Sequence, residues 1–288
     1  MREIIHGECI EEMKKLKAGS IDMVLTDLPY GITGYSWDST ILKFEDLWKE
    51  WDRVLKPNGC VLLFASGKFV GQAMTSSKHY KYMWTWIKSC PTNFVNAKKM
   101  PMRKTEQILV FYKKCPTYNP QGVRPTDRTH YKQTAEETIE IASHGKQKKS
   151  KRIETKKTSD YAGRHSDSMA GYALCGGLLD ENGKQKESEQ FLTGYPNDIL
   201  YYNSSIAKRS WDKFHPSQKP VELLRYLIRT YTNEGETVLD CTAGSMSTAC
   251  AAIMENREYV MIDLDEDYVR LGKERVDKYI KRKKAELF

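Results

Sequence analysis

Residues 237–263 read TVLDCTAGSMSTACAAIMENREYVMID. An apolar run stops at Asp240, and a loop of small residues containing Ala243, Gly244 and Ser245 follows. A helix rich in alanine comes next, then a second apolar run, YVMI, which ends in Asp263. Small residues let a backbone approach a ligand closely, and a helix N-terminus can face an anionic group. By itself such a loop also serves ordinary helix–strand packing. The acid about twenty residues further on adds something specific: at a strand end it is placed to accept hydrogen bonds from ribose hydroxyls. Loop and acid together read as the two halves of a nucleoside site.

The surrounding chain repeats this alternation. Downstream, EYVMIDLDEDYVRLGKERVDKYIKRKK is strand, acidic turn and helix. Upstream, HPSQKPVELLRYLIRTYT has a proline-marked start and a helix with Leu223, Leu224, Leu227 and Ile228 as its apolar face. In the first third, EII and DMVLTD read as strands. Between them CIEEMKKLKAGS predicts a helix with Ile10, Met13 and Leu16 on one face and Gly19 as its stop. FEDLWKEWDRVLKPNG predicts a helix on Phe44, Leu47, Trp48, Trp51, Val54 and Leu55, ended by Pro57 and Gly59. CVLLFAS is a buried strand, and YMWTWIKS and EQILVFYKK are two more, joined by the long loop CPTNFVNAKKMPMRKT. The expected fold class is therefore α/β, a doubly wound and mostly parallel sheet.

From about residue 115 to 211 the chain turns polar and carries the basic run HGKQKKSKRIETKK, with Lys146, Lys148, Lys149, Lys151 and Arg152. Such a run is a solvated loop or a phosphate contact. Its place inside the chain, rather than at a tail, favours phosphates. The expected division is a catalytic domain over 1–113 and 212–288, interrupted by an insert over 114–211 that is flexible in part.

Composition narrows the class. Hydrophobic residues make up 40% of 288, enough for a substantial core, yet no apolar run approaches a membrane span. The N-terminus MREIIHGECIEEMKKL lacks the apolar core of a signal peptide, so a cytoplasmic protein is expected. Seven cysteines without a CxxC pair suggest neither a disulfide framework nor a zinc site, and no metal is expected. A net charge of +8 fits a polyanionic partner without demanding one.

The ligand of the nucleoside site is not a dinucleotide on this reading. Of a GxGxxG pattern only Gly244 survives, and a carrier with ribose and adenine but no phosphate fits better; S-adenosylmethionine is such a carrier. A methyl donor at one strand end needs an acceptor at its neighbour, and MVLTDLPYGITGYSWD supplies one. There the strand Met23–Val24–Leu25 ends in Asp27-Leu28-Pro29-Tyr30. These residues also favour plain turns. An exocyclic amino group on a nucleobase is a poor nucleophile, because its lone pair is delocalised into the ring. The Asp27 carboxylate and the Leu28 carbonyl can grip its two hydrogens and aim the lone pair at the methyl group. Pro29 stiffens the loop, and Tyr30 can stack on the base. Transfer is then governed by positioning and electrostatics, on a base first flipped from the duplex.

The tetrapeptide Asp27-Leu28-Pro29-Tyr30, HPSQKP, LDCTAGSMSTA and VMIDLDEDYVRLGKERV together resemble the DNA amino-methyltransferases that modify adenine N6 or cytosine N4. The tetrapeptide precedes the cofactor loop with a variable region between, the order of the β class. That order argues against the release-factor glutamine methyltransferases, which carry a similar tetrapeptide after the loop. NFVNAKKMPMRKTEQILVFYKK further resembles small phage or prophage enzymes.

The resemblance implies S-adenosylmethionine as cofactor, double-stranded DNA as partner and a target-recognition role for the insert. It also implies a homodimer and the option of a cognate restriction endonuclease, in the cytoplasm of a bacterial or phage-infected cell. It implies that Glu8 contacts the cofactor's adenine amino group, although a helix N-terminus would favour the same acid. It places Ser217 and Lys219 near the methionine carboxylate, and Asp240, Thr242, Gly244, Ser245 and Asp263 around the cofactor. Two positions depart from the family pattern. Leu28 stands where a proline is usual, which implies the same carbonyl on a looser loop. Met246 stands where the loop has glycine, which implies crowding of the cofactor or a changed loop shape. Aspartate at the head of the tetrapeptide favours adenine. Cytosine N4 and an RNA base are the alternatives in the same chemistry. A nucleic-acid-binding module with an inactive cofactor site, motivated by Met246, is the alternative of another class.

Overall fold

The computed structural model describes residues 1–29, 42–125, 192–203 and 218–286. The basic run with Lys146, Lys148, Lys149, Lys151 and Arg152, together with Tyr30 and Ser217, lies outside the described residues.

The apolar runs become the middle of one eight-stranded sheet. Its strands are β1 (Arg2–His6), β2 (Ile21–Thr26), β3 (Leu55–Ala65), β4 (Tyr80–Thr92), β5 (Arg103–Tyr112), β8 (Ile199–Tyr202), β9 (Thr237–Asp240) and β10 (Glu258–Asp263). They lie in the order β1-β10-β9-β2-β3-β5-β4-β8. The five strands from β1 to β3 are parallel to one another, β5 is antiparallel to both β3 and β4, and β8 is parallel to β4. The sheet is thus mixed, with its parallel part where the α–β alternation predicts it.

Helices cover both faces. Val24, Val61, Leu63, Val260 and Ile262 join residues of α1 (Cys9–Lys15), α2 (Phe44–Val54) and α3 (Lys68–Thr75) in one buried cluster. Met23, Leu25, Leu62 and Met261 join residues of α4 (Val221–Tyr231), α5 (Ser247–Met254) and α6 (Glu266–Glu286) in the other. Alternate residues of one strand thus enter opposite clusters. A strand buried on both faces reads as a continuous apolar run.

Local details differ from the expectation for physical reasons. Helix α1 ends at Lys15, before Gly19, because the backbone is already extended at Leu16. Helix α2 stops at Val54, and Leu55 is extended at φ −69°, ψ 141°. Pro57 disfavours a helical Lys56, so LKPNG becomes the first half of β3, with Leu55 opposite Ile21. Helix α3 is short, buries Phe69 and Ala73, and begins after Gly67 at φ +59°; its sparse apolar pattern concealed it.

The chain divides into two compact units, and the second spans Gly122–Tyr195, narrower than the expected insert over 114–211. Residues before it stay with the sheet, where the Asn119 amide donates to the carbonyls of Arg229 and Thr232, each at 3.1 Å. Residues after it return as β8 on β4. The described part of the second unit is the two-stranded pair β6 (Arg124–Pro125) and β7 (Leu192–Thr193). Among the described residues the cysteines form no disulfide, no acid–His–Cys cluster suits a metal ion, and no helix is long and apolar enough to cross a membrane.

Candidate active site

Strand order reverses between β9 and β2. From β9 the chain moves outward to β10, and from β2 it moves the other way to β3. Such a reversal opens a crevice at the carboxyl ends of the strands. Asp27 directly follows β2, Asp240 ends β9 and Asp263 ends β10, so the register brings all three acids to this edge.

Asp240 knits the edge together. One oxygen accepts the Thr26 hydroxyl at 2.9 Å, and the other accepts the Thr248 hydroxyl at 2.6 Å. The Thr242 amide donates to it as well, at 3.2 Å. Burial pushes the Asp240 carboxyl up to about 6, against the hydroxyl and amide donors that favour its charge. Each oxygen accepts from a neighbour inside the protein, so Asp240 holds the loop in shape. Thr242 continues the link: its hydroxyl lies 2.9 Å from that of Thr26 and donates to the backbone carbonyl of Asp27 at 3.1 Å. The donor loop and the acceptor loop are thereby one hydrogen-bonded structure.

Asp263 closes the other side. Its carboxylate accepts the Gly244 amide at 2.6 Å and the Asp265 amide at 2.9 Å, and each oxygen keeps a further lone pair. Burial raises its pKa, opposed by those two amides. Gly244 has φ +47°, and the space where a Cβ would stand is open. Ser245 is buried; its hydroxyl lies 3.0 Å from that of Ser247, and Arg275 donates to its carbonyl.

Met246 resolves the question its presence raises. It is itself left-handed, at φ 56° and ψ 28°, and caps α5. That backbone costs a residue with a side chain roughly 1 kcal/mol. The side chain is fully buried and packs against Gly272 of α6, where a Cβ would overlap its Cγ. Met246 therefore turns into the core, away from the open side of Gly244, and the loop keeps its left-handed turn. Open space at Gly244 beside the Asp263 carboxylate suits a ribose-bearing carrier.

On the acceptor side Leu28 is buried in the apolar cluster with Trp48 and Phe69, so packing anchors the loop where proline would have stiffened it. The Lys219 ammonium, partly buried, pairs with the Asp27 carboxylate and lies 3.2 Å from Glu106 on β5. Glu106 in turn pairs with Lys88 on β4 at 2.7 Å. Burial works against the Lys219 charge, but Asp27 and Glu106 outweigh it and raise its pKa. Burial likewise works against the Glu106 charge, and Lys219 and Lys88 outweigh it and lower its pKa. Lys219 thus ties the segment that opens α4 to the acceptor side through Asp27 and Glu106. Glu106 and Lys88 escaped the sequence reading because nothing local in TEQILVF marks one acid as buried. Glu8 accepts the Glu11 amide at 2.9 Å as the N-cap of α1. Burial opposes its charge, but the amides of Glu11 and Ile10 help hold its pKa low.

The sequence profile described as DNA methylase, covering the N6 and N4 enzymes, matches residues 21–274. The chain belongs to this family. The methylase is 26% identical over 292 residues to the DNA adenine methyltransferase YhdJ of Escherichia coli K12, covering 96% of this chain and 83% of that one. It is 23% identical to the Type II methyltransferase M.HpaI of Haemophilus parainfluenzae, covering 96% and 74% of the two chains. Its fold matches the crystal structure of the M1.HpyAVI-SAM complex with a TM-score of 0.56 at 18% identity, over 96% of this chain and all of the other. It also matches the cytosine-N4-specific PvuII DNA methyltransferase with a TM-score of 0.57 at 14% identity, over 97% and 91%. As a member of its family, the methylase moves a methyl group from S-adenosylmethionine to an exocyclic amino group of DNA.

The geometry around Asp263 gives a direct expectation. Asp263→Ala removes the charged acceptor and also the clasp on the Gly244 amide, so donor affinity falls by about 1–3 kcal/mol. Asp263→Asn keeps an acceptor oxygen for Gly244 and loses less. Calorimetric titration of the methyl donor into both variants checks the order, with a melting curve to show that each is folded.

Proposed function

We propose that the acceptor is the N6 amino group of an adenine flipped out of double-stranded DNA. The observation that carries this reading is Asp27, an aspartate at the head of the tetrapeptide, held at the switch point one hydrogen bond from the donor loop. Similarity over most of both chains to a relative named an adenine methyltransferase supports it. The likeness to a cytosine-N4 enzyme is one of fold.

On this reading the Asp27 carboxylate and the Leu28 carbonyl each accept one hydrogen of the amino group. Tyr30 stacks on the base and Pro29 limits the loop. S-adenosylmethionine, when bound, supplies an electrophilic methyl group. Asp263 holds its ribose hydroxyls, and the open side of Gly244 lets it approach the backbone. Ser217 remains assigned to the carrier's methionine end. Lys146, Lys148, Lys149, Lys151 and Arg152 hold DNA phosphates within a target-recognition insert. The enzyme works as a homodimer in the compartment that holds DNA, the bacterial cytoplasm, with or without a partner endonuclease.

Nucleoside mass spectrometry after incubation with the methyl donor and unmethylated DNA tests the base assignment. N6-methyldeoxyadenosine is expected. N4-methyldeoxycytidine in its place would move the acceptor to cytosine, and methylation of RNA alone would remove DNA as the substrate.

A further inference from the structure

The β4–β5 hairpin carries a feature that the reaction does not use. Strand β5 is antiparallel to β3, with Gln107 opposite Ala65, so Arg103–Glu106 lies at the carboxyl edge of β3, the edge that holds Asp27. Beyond that edge the hairpin runs on through residues 93–102. Its tip is a built turn. Asn93 adopts φ 71° and its carbonyl accepts the Asn96 amide at 3.1 Å. The Asn96 side chain donates to that of Asn93 at 2.7 Å, and the Asn96 carbonyl accepts the amides of Lys99 and Met100. This clasp presents Phe94 and Val95 outward, 80% and 95% exposed, with Met100 and Met102 also exposed beside them.

Charge says what the tip meets. Between Asp52 and Glu106 the chain has no acidic residue at all. Lys98, Lys99, Arg103 and Lys104 are exposed on the tip and its base. The Arg103 guanidinium lies over Gly67, just past the end of β3. Apolar side chains inside a purely cationic frame suit a polyanion with a stacked apolar interior, which describes a DNA duplex. Met102 is four residues from Glu106, about 13 Å at roughly 3.3 Å per extended residue. Lys219 joins Glu106 to Asp27, so the base of the tip lies within a few base steps of a base held at Asp27, at about 3.4 Å per step.

We propose that this hairpin tip is a duplex wedge: Phe94 and Val95 enter the base stack beside the target, while Lys98, Lys99, Arg103 and Lys104 hold the flanking phosphates. Unstacking at that point lowers the cost of flipping the target base, because part of the stacking is already lost. The inference rests on the reading of the protein as an enzyme of duplex DNA.

The test is Phe94→Ser with Val95→Ser in the full chain. Both side chains are exposed, so an unchanged melting temperature is expected. Insertion of a wedge unwinds DNA, so the linking number of a relaxed plasmid, closed in the presence of protein, reports it without need of methyl transfer. Wild type is expected to shift the linking number and the double variant to lose most of that shift. Methyl transfer to duplex DNA should fall about tenfold or more in the variant, with donor affinity unchanged. Lys98→Glu with Lys99→Glu should weaken plasmid binding and flatten its salt dependence. Parental unwinding by the Phe94/Val95 variant overturns the wedge. So does conversion of a dimer to a monomer with unwinding intact, which would make the tip a contact between copies of the chain. Wild-type unwinding without any methylated base would instead sink the catalytic reading and leave the wedge standing.

Discussion

Replacing Asp27 by alanine lowers single-turnover methyl transfer by roughly a hundredfold or more, the scale of deleting one preorganised electrostatic contact. The amino group of the target base loses one of its two acceptors, stays planar and remains a weak nucleophile. Donor binding persists, because Asp263 and the Gly244 turn belong to other strand ends. The fold persists as well: Lys219 keeps Glu106 at 3.2 Å when its Asp27 partner is gone. Asp27→Asn keeps an acceptor oxygen and retains more activity than alanine. Rapid-quench transfer beside a donor titration checks both halves. Near-parental transfer by the alanine variant would return this segment to an ordinary turn.

The second large effect belongs to Lys219. Its ammonium sits between two carboxylates, over the ring of Phe64 at 5.1 Å. Lys219→Met leaves Asp27 and Glu106 without their shared cation, but Glu106 keeps Lys88 at 2.7 Å and Asp27 is partly exposed, so the loss of stability is on the order of 1–3 kcal/mol. Transfer should fall at least tenfold, since the Asp27 carboxylate loses the group that orients it. Glu106→Gln is the milder probe. It keeps the shape, lets Lys219 bind Asp27 alone, and so makes the lysine a stronger competitor for the acceptor. A several-fold fall in kcat with unchanged donor affinity is expected.

The pH dependence of that variant has a definite sign. Burial opposes the Glu106 charge, but Lys219 and Lys88 prevail and its folded pKa lies below the ordinary 4.5. Its contribution is therefore present above 4.5 and is lost as pH falls through the folded value. The gap in melting temperature between wild type and Glu106→Gln should close on acidification. A gap that stays constant into acid would mean the carboxylate contributes through shape alone.

The three acids at the strand ends were legible because a parallel sheet brings the carboxyl ends of its strands to one edge, so Asp27 and Asp263 share that edge, with Asp240 on the strand between them. The cation between Asp27 and Glu106 was not. Lys219 reaches a strand more than a hundred residues away in the chain, and antiparallel β5 is placed by pairing with β3, which leaves no periodic mark. Met246 shows the same limit from the other side. As a letter it replaces a loop glycine; its direction is decided by a positive φ and by the absence of a side chain at Gly272. Glu8 shows a third case: it caps α1 through the Glu11 amide, the role a helix N-terminus also favours, beside the cofactor contact that the resemblance implies.

The central claim is that the carrier held beside Asp263 is the one whose methyl group reaches a base gripped by Asp27. A pulse-chase reads this directly. Protein loaded with S-adenosylmethionine carrying a labelled methyl group is mixed with unmethylated duplex DNA and a large excess of unlabelled donor, and label on the amino groups of DNA is counted. The predicted result is label on DNA approaching one methyl per loaded site in wild type and close to none in Asp27→Ala loaded to the same extent. Label that leaves wild-type protein unreacted, with the DNA unlabelled, would contradict the account.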